Sequence, residues 1–189
     1  MALKTPAREQ KIAPNGLPYL DNETFRDCKI VLRNLSGGPT TFNAAGGVRT
    51  VKLLLDTANA DRLARLGWNV KEFKPKEEGD EPQKFIELTA QYPTPDKPKI
   101  RAPRIVMVTE KNQTELDAQT VGMLDMAHIS KVDLVFRDYP WQSPNGRGHK
   151  AMIKTMYVTI VQDELDREYS DIPDSRFQQE APSDDWAEY

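Results

Sequence analysis

The chain has 189 residues, with 26 Lys and Arg against 29 Asp and Glu and a 38% hydrophobic fraction, which fits one domain with appendages. No stretch approaches the roughly 20 apolar residues of a membrane helix, and the N-terminal MALKTPAREQKIAPNG has no apolar signal core. The single cysteine, Cys28, excludes an internal disulfide and a cysteine-based metal cluster and fits a reducing, cytoplasmic compartment.

The net charge of −3 hides two opposed poles. Residues 163–189 hold ten acidic and two basic residues, net −8, so the remainder is net +5. Such block asymmetry points to a body that binds a polyanion and a tail that shields it or docks a partner. A solvated tail without a role is the bland alternative.

Residues 1–24 carry Pro6, Pro14, Gly16 and Pro18 without periodicity and read as a flexible arm. CKIVLRNL (28–35) reads as a strand, SGGPTTFNAAGG (36–47) as a glycine-broken loop, and VRTVKLLL (48–55) as a second strand. Residues 57–67 form a short helix that stops at Gly67. WNVKEF (68–73) and KFIELTAQY (84–92) follow as strands, with Trp68 read as core. A connection with Pro93, Pro95, Pro98 and Pro103 leads to the strand RIVMVT (104–109). Asn112 with Glu115 resembles a helix start, and helical turns are expected from about 115 to 126. KVDLVFRDYPW (131–141) and HKAMIKTMYVTIV (149–161) are the clearest strands. Short strands with one intervening helix suggest a small barrel or sandwich. Pro173, Pro182 and the acidic excess make the C-terminus read as disordered. The boundaries are an arm at 1–26, a body at 27–169 and a tail at 170–189.

The last two strands carry the chemistry. Asn145-Gly146 is a two-residue hairpin signal. Centring the turn there sets Trp141 opposite Lys150, Tyr139 opposite Met152 and Arg137 opposite Lys154, all on one face. The other face receives Val132, Leu134, Phe136, Ala151, Ile153 and Tyr157, an apolar set. Exposed aromatics beside cations suit single-stranded nucleic acid: bases stack on rings at about 1–3 kcal/mol each, and cations track phosphates. Arg147 adds a cation at the hairpin tip. The alternative is that Trp141 and Tyr139 merely pack against a loop. A second basic group, Arg33, Arg49 and Lys52, flanks the glycine-rich loop that holds Phe42. Arg49 and Lys52 have opposite strand parity and cannot both point to one face.

Enzyme signatures are absent from the sequence. His128 and His149 have no ligand partner at metal spacing, and neither a phosphate-binding loop nor a nucleophile turn occurs. Asp117, Asp125 and Asp133 offer only a weak case for a metal-dependent nuclease. No cofactor is expected.

IVLRNLSGGPTTFNAAGGVRTVKLLLD, GWNVKEFKP, TVGMLDMAHISKVDLVFRDYPW and KAMIKTMYVTIVQDELDREY together resemble a bacteriophage family of single-stranded DNA-binding proteins, frequent in phages of Gram-positive and actinobacterial hosts. The resemblance covers about residues 28–170. It implies a mainly β, OB-fold-like, five-stranded Greek-key barrel with one or two short helices and disordered termini. It also implies a non-enzymatic, largely sequence-independent role in phage DNA replication or recombination, in the host cytoplasm. The acidic tail with Asp184, Asp185, Trp186 and Tyr189 is similar to the partner-docking tails of such proteins. The expected partners are single-stranded DNA, replication or recombination proteins through the tail, and a second copy in a homo-oligomer, with no membrane. The rival reading is a virion structural or assembly protein that uses the β body to oligomerise.

Overall fold

The computed structural model describes residues 11–41, 43–75 and 81–162. The strands are β1 (Glu23–Cys28), β2 (Ile30–Asn34), β3 (Arg49–Leu55), β4 (Val70–Glu72), β5 (Lys84–Ala90), β6 (Arg104–Val108), β7 (Gln113–Leu116), β8 (Ile129–Ser143) and β9 (Gly146–Ile160). Among the described residues one helix, α1 (Thr57–Leu66), and one 3-10 helix (Val121–Asp125) accompany them.

The sheet follows the path β1-β8-β9-β5-β3-β2. Its two ends, β1 and β2, are consecutive in the chain across Lys29, whose carbonyl accepts from the Leu54 amide at 2.9 Å. They act as one bent ribbon that pairs with β8 by its first half and with β3 by its second. The chain itself thus joins the ends of the path, and the mixed sheet curls into the partly open, OB-like barrel that the resemblance implies. β5 and β6 both run parallel to β9, along successive parts of its length.

Strand alternation fills the interior. Val51 and Leu53 of β3, Ile86 and Leu88 of β5, Leu134 and Phe136 of β8, and Ile153 and Met156 of β9 are all buried in one cluster. α1 adds Ala60 and Leu63. Its Asp56 cap accepts from the Asn59 amide, and Gly67 closes it at φ 100°, a conformation only glycine adopts freely. Trp68 follows, 4% exposed, with its ring edge-on to Phe136 at 4.9 Å. The sequence reading of Trp68 as core agrees.

Four local expectations are corrected. First, the helical turns expected over 115–126 are confined to the 3-10 helix at Val121–Asp125 and do not start at Asn112 or Glu115. Asn112 closes a β6–β7 turn against Thr109. Asp117 accepts from the Gln119 and Thr120 amides and the Thr120 hydroxyl, so the chain turns there. These bonds hold the Asp117 carboxyl below the usual carboxylate range. The capping residues satisfy turns instead of a helix end.

Second, β1 begins inside the stretch read as a flexible arm. Phe25 stacks on Phe136 at 5.9 Å, and Glu23 receives both guanidinium nitrogens of Arg62, at 3.1 and 2.8 Å. Residues 11–22 are also tied in: Ile12 bridges Pro18, and the Leu20 amide donates to Asp138 at 3.0 Å.

Third, the hairpin loop is Pro144-Asn145, since Ser143 pairs with Gly146. Trp141 therefore faces Gly148, Tyr139 faces Lys150 and Arg137 faces Met152. The indole lies on Gly148, where a Cβ would meet it at 3.4 Å. A bulky ring thus rests over a partner without a side chain. The shift is two residues, an even number, so each side chain as far as Ile153 keeps its expected face.

Fourth, β9 is irregular opposite Val135 and Phe136: Phe136 pairs with Ile153 but Val135 with Thr155. Lys154 is the extra, bulged residue. Beyond it the parity reverses, so Met156 and Val158 enter the core and Tyr157 turns outward to Arg104.

Candidate nucleic-acid interface

β3, β5, β9 and β8 lie side by side, and cross-strand partners share a face. Leu53 with Ile86 and Leu88 with Ala151 define the inner face. The outer face then carries Lys52 and Glu87, Thr89 and Met152, Lys150 and Tyr139, Arg137, and Trp141 over Gly148. This surface brings Arg137, Tyr139, Trp141, Lys150 and Lys52 of the sequence-predicted set together.

Its aromatics are open. Tyr139 is 55% and Trp141 39% exposed, against 0% for Phe136 on the opposite face of β8. Met152 is the exception among the hairpin residues of this face, buried at 4% beside Thr89. Lys150, Arg147 and Lys154 are exposed, and their side chains make no ion pair or hydrogen bond among the described residues. The bulged Lys154 lines a small cavity with Arg137, Arg101 and Asn22, so the two cations stay close although they are not paired in register. Arg137 itself donates to the Arg101 carbonyl at 3.3 Å. Arg147 sits at the tip opposite Gln142, on the other face of the ribbon from Trp141.

Beside Trp141, β4 and β9 diverge from the edge of β5 and leave a cavity of about 160 Å³. Lys71, Glu87, Trp141, His149 and Lys150 line it. Glu87 approaches Lys71 at 3.9 Å. Below, the His149 ring nitrogen meets buried Asp138 at 2.7 Å, and Asp138 also takes the Leu20 amide, which ties the hairpin base to the N-terminal segment.

The second basic group behaves differently. Arg49 follows the inner parity to the barrel end, where it donates to the Leu35 carbonyl at 2.6 Å and lies 5.2 Å from the Tyr92 ring centre. Arg33 donates to the Ala127 carbonyl at 2.9 Å, beside the 3-10 helix. Neither joins the hairpin face. Lys52 does, and its ammonium lies about 5 Å from the stacked Phe73 and Phe85 rings, at 5.2 and 4.9 Å. Lys71 and Phe73 belong to the mixed aromatic–basic stretch that the sequence shows after Trp68; Phe85, 5% exposed beneath Phe73, is the addition. Its signal was available in the parity of β5, where Phe85 alternates against core Ile86. Phe42 and the tail residues Asp184, Asp185, Trp186 and Tyr189 lie outside the described residues.

Asp117, Asp125 and Asp133 do not converge. Asp125 accepts from the Leu35 and Ser36 amides at 2.6 and 2.9 Å. Asp133 accepts from the Asp27 amide at 2.8 Å, which holds its carboxyl below the usual range, with help from Lys131. No cluster of acidic, histidine or cysteine side chains fit for a metal occurs among the described residues. No helix there is long and apolar enough to cross a membrane.

Comparison with solved structures returns phage proteins. The single-stranded DNA-binding protein from bacteriophage Enc34 is 11% identical over 81% of this chain and 90% of its own, with a TM-score of 0.48. Its complex with ssDNA gives 9% identity, 83% and 98% coverage, and a TM-score of 0.49. The single-stranded DNA-binding protein gp2.5 of bacteriophage T7 is 12% identical over 81% of this chain and 97% of its own, with a TM-score of 0.35. No curated protein sequence matches the chain. The family model described as "Putative phage ssDNA-binding domain" matches residues 17–188. With nearly the whole chain matched, the protein belongs to this phage single-stranded DNA-binding family.

Proposed function

We propose that the protein binds single-stranded DNA on the outer face of β3, β5, β9 and β8, without catalysis and with little sequence preference. The observation that supports this most is the exposure of Tyr139 and Trp141 among cations that the fold leaves unpaired. An unstacked base offers its π-face to such rings, whereas a duplex hides it. Lys150, Lys154 and Lys52 contact phosphates and release counterions. Arg137 does so with the guanidinium nitrogens not bonded to the Arg101 carbonyl, and Arg147 meets the strand where it passes the hairpin tip. Every base has a π-face, so stacking confers affinity without reading sequence. The carboxylates that a nuclease would need are bonded to backbone amides at separate places, which disfavours that reading.

The protein acts in phage replication or recombination, in the host cytoplasm. Its acidic tail docks a replication or recombination protein through Asp184, Asp185, Trp186 and Tyr189, and competes with DNA for the basic face at high effective concentration. The testing experiment is a gel shift with labelled single strands and a duplex of equal length, with and without Mg²⁺. Preferential retention of the single strand without cleavage supports the reading. Equal affinity for duplex, or Mg²⁺-dependent cleavage, contradicts it.

A further inference from the structure

The connection from β5 to β6 is more than a linker. It holds Pro93, Pro95, Pro98 and Pro103 within residues 91–103, together with Lys97, Lys99 and Arg101. Proline fixes φ and lowers the freedom lost when a segment is held in one shape. The connection is also built. Thr94 and Lys97 bridge each other, the Ile100 amide reaches the Lys97 carbonyl at 3.4 Å, and Arg137 clamps the Arg101 carbonyl. The carboxyl of Asp96, the one carboxylate here, is held below its ordinary range, first by the Thr94 hydroxyl and also by the nearby charge of Lys97.

Between this connection and the hairpin runs a groove of about 490 Å³. One wall is the ring of Tyr139; the other is Lys97, Pro98, Lys99 and Ile100, with Gln91 and Asp96 completing the lining. Lys97 and Lys99 are exposed, without an ion pair or hydrogen bond from their ammonium groups among the described residues. The groove therefore has an aromatic side, an apolar side and two cations without a hydrogen bond or ion pair, and it continues from the outer face through Tyr139. Lys97 lies near enough to Asp96 to favour the charged form of that carboxyl.

We propose that this groove holds one further nucleotide of the same single strand: its base lies between Tyr139 and the Pro98-Ile100 wall, and its flanking phosphates meet Lys97 and Lys99. The inference rests on the outer face being the strand's path. It adds that the strand leaves that face over Tyr139 and passes under a pre-shaped wall. A base enters a slot between a ring and an apolar wall with its flat faces covered and its edges free, so the slot is indifferent to sequence. A rigid wall loses little entropy on binding.

The experiment uses the full chain, fluorescence anisotropy and two probes: a dT oligonucleotide and an abasic oligomer of equal phosphate number. Three variants are compared, each checked by thermal melting: Ile100→Ala, Lys97→Gln with Lys99→Gln, and Trp141→Ala. The expected result is that Ile100→Ala weakens dT binding about fivefold or more but leaves the abasic oligomer unaffected. The double lysine variant lowers the log–log salt slope by about 1.4 on both probes, since each phosphate contact on a single strand contributes about 0.7. Trp141→Ala loss with wild-type behaviour of both groove variants overturns the groove and leaves the outer face intact. Wild-type affinity in all three overturns the outer face itself. Equal loss by Ile100→Ala on both probes overturns the base slot.

Discussion

The two basic groups of this chain contain the same residue types and most of their members meet opposite fates, Lys52 of the first joining the outer face and Arg137 of the second bonding a carbonyl. Around the first loop, the Arg33 and Arg49 guanidinium groups bond to the Ala127 and Leu35 carbonyls, and Arg49 also leans on Tyr92. On the hairpin, Lys150, Lys154 and Arg147 are exposed and unpaired among the described residues. A planar guanidinium suits carbonyl bonding inside a fold, while a flexible ammonium in water suits a moving phosphate chain. The cations available to a polyanion are those the fold has not already used. Sequence proximity to a glycine-rich loop does not distinguish the two kinds; strand parity and the neighbouring carbonyls do.

The comparison is easiest to break through the hairpin itself, whose two faces should fail in different ways. Ile153→Ala empties core space behind the face and should destabilise the protein by about 2–5 kcal/mol in urea unfolding, with DNA affinity per folded molecule retained. Trp141→Ala should do the reverse, weakening single-strand binding by about 1–3 kcal/mol with an unchanged melting midpoint. A Trp141→Ala variant that melts early and binds normally would assign the indole to packing alone.

Exchanging the two basic groups sharpens the contrast. Arg49→Ala should lower stability by about 1–3 kcal/mol, because a charge-assisted bond to a carbonyl is lost, and should leave the salt dependence of binding unaltered. Lys150→Ala should lower the salt slope by about 0.7 and keep stability within about 0.5 kcal/mol of wild type. Titrations from low to high salt decide between the two. Deleting the tail from Asp171 should tighten binding, most clearly at low salt where screening is weak. Unchanged affinity at all salt concentrations would remove the tail from competition.

The smallest expected effects come from titration. The Asp117 and Asp133 carboxyls lie below their ordinary value of 3.8, mainly through hydrogen bonds from Thr120 and from the Asp27 amide respectively. A depressed folded-state value stabilises above the unfolded value and is lost as pH falls through the folded one. Melting temperature should therefore hold near neutrality and decline only below about pH 4. Burial pushes the Cys28 thiol up to about 12, so alkylation of the native protein at pH 8 should be far slower than that of the unfolded chain.

Much of this was legible in the sequence because two-residue periodicity survives local error. The hairpin loop was placed one residue late, yet the resulting two-residue shift preserved both faces, so Tyr139, Trp141 and Lys150 still share one side. An odd irregularity is not so forgiving. The bulge at Lys154 turned Tyr157 outward, and nothing in KAMIKTMYV marks where β9 takes an extra residue. The helical turns expected over 115–126 begin only at Val121, because Asn112 and Asp117 close turns as readily as they cap helices. The groove escaped the sequence reading for a different reason. Prolines announce a connection, but only the folded sheet sets Pro98 and Ile100 across from Tyr139.

The central claim is that Tyr139 and Trp141 form a stacking surface that stability does not require. The most direct measurement is the affinity of the Tyr139→Ala, Trp141→Ala double variant for a single-stranded oligonucleotide, taken with its melting curve. Two lost stacking contacts predict a fall of at least about 30-fold with an unshifted midpoint. Wild-type affinity in a protein that remains folded would contradict the account.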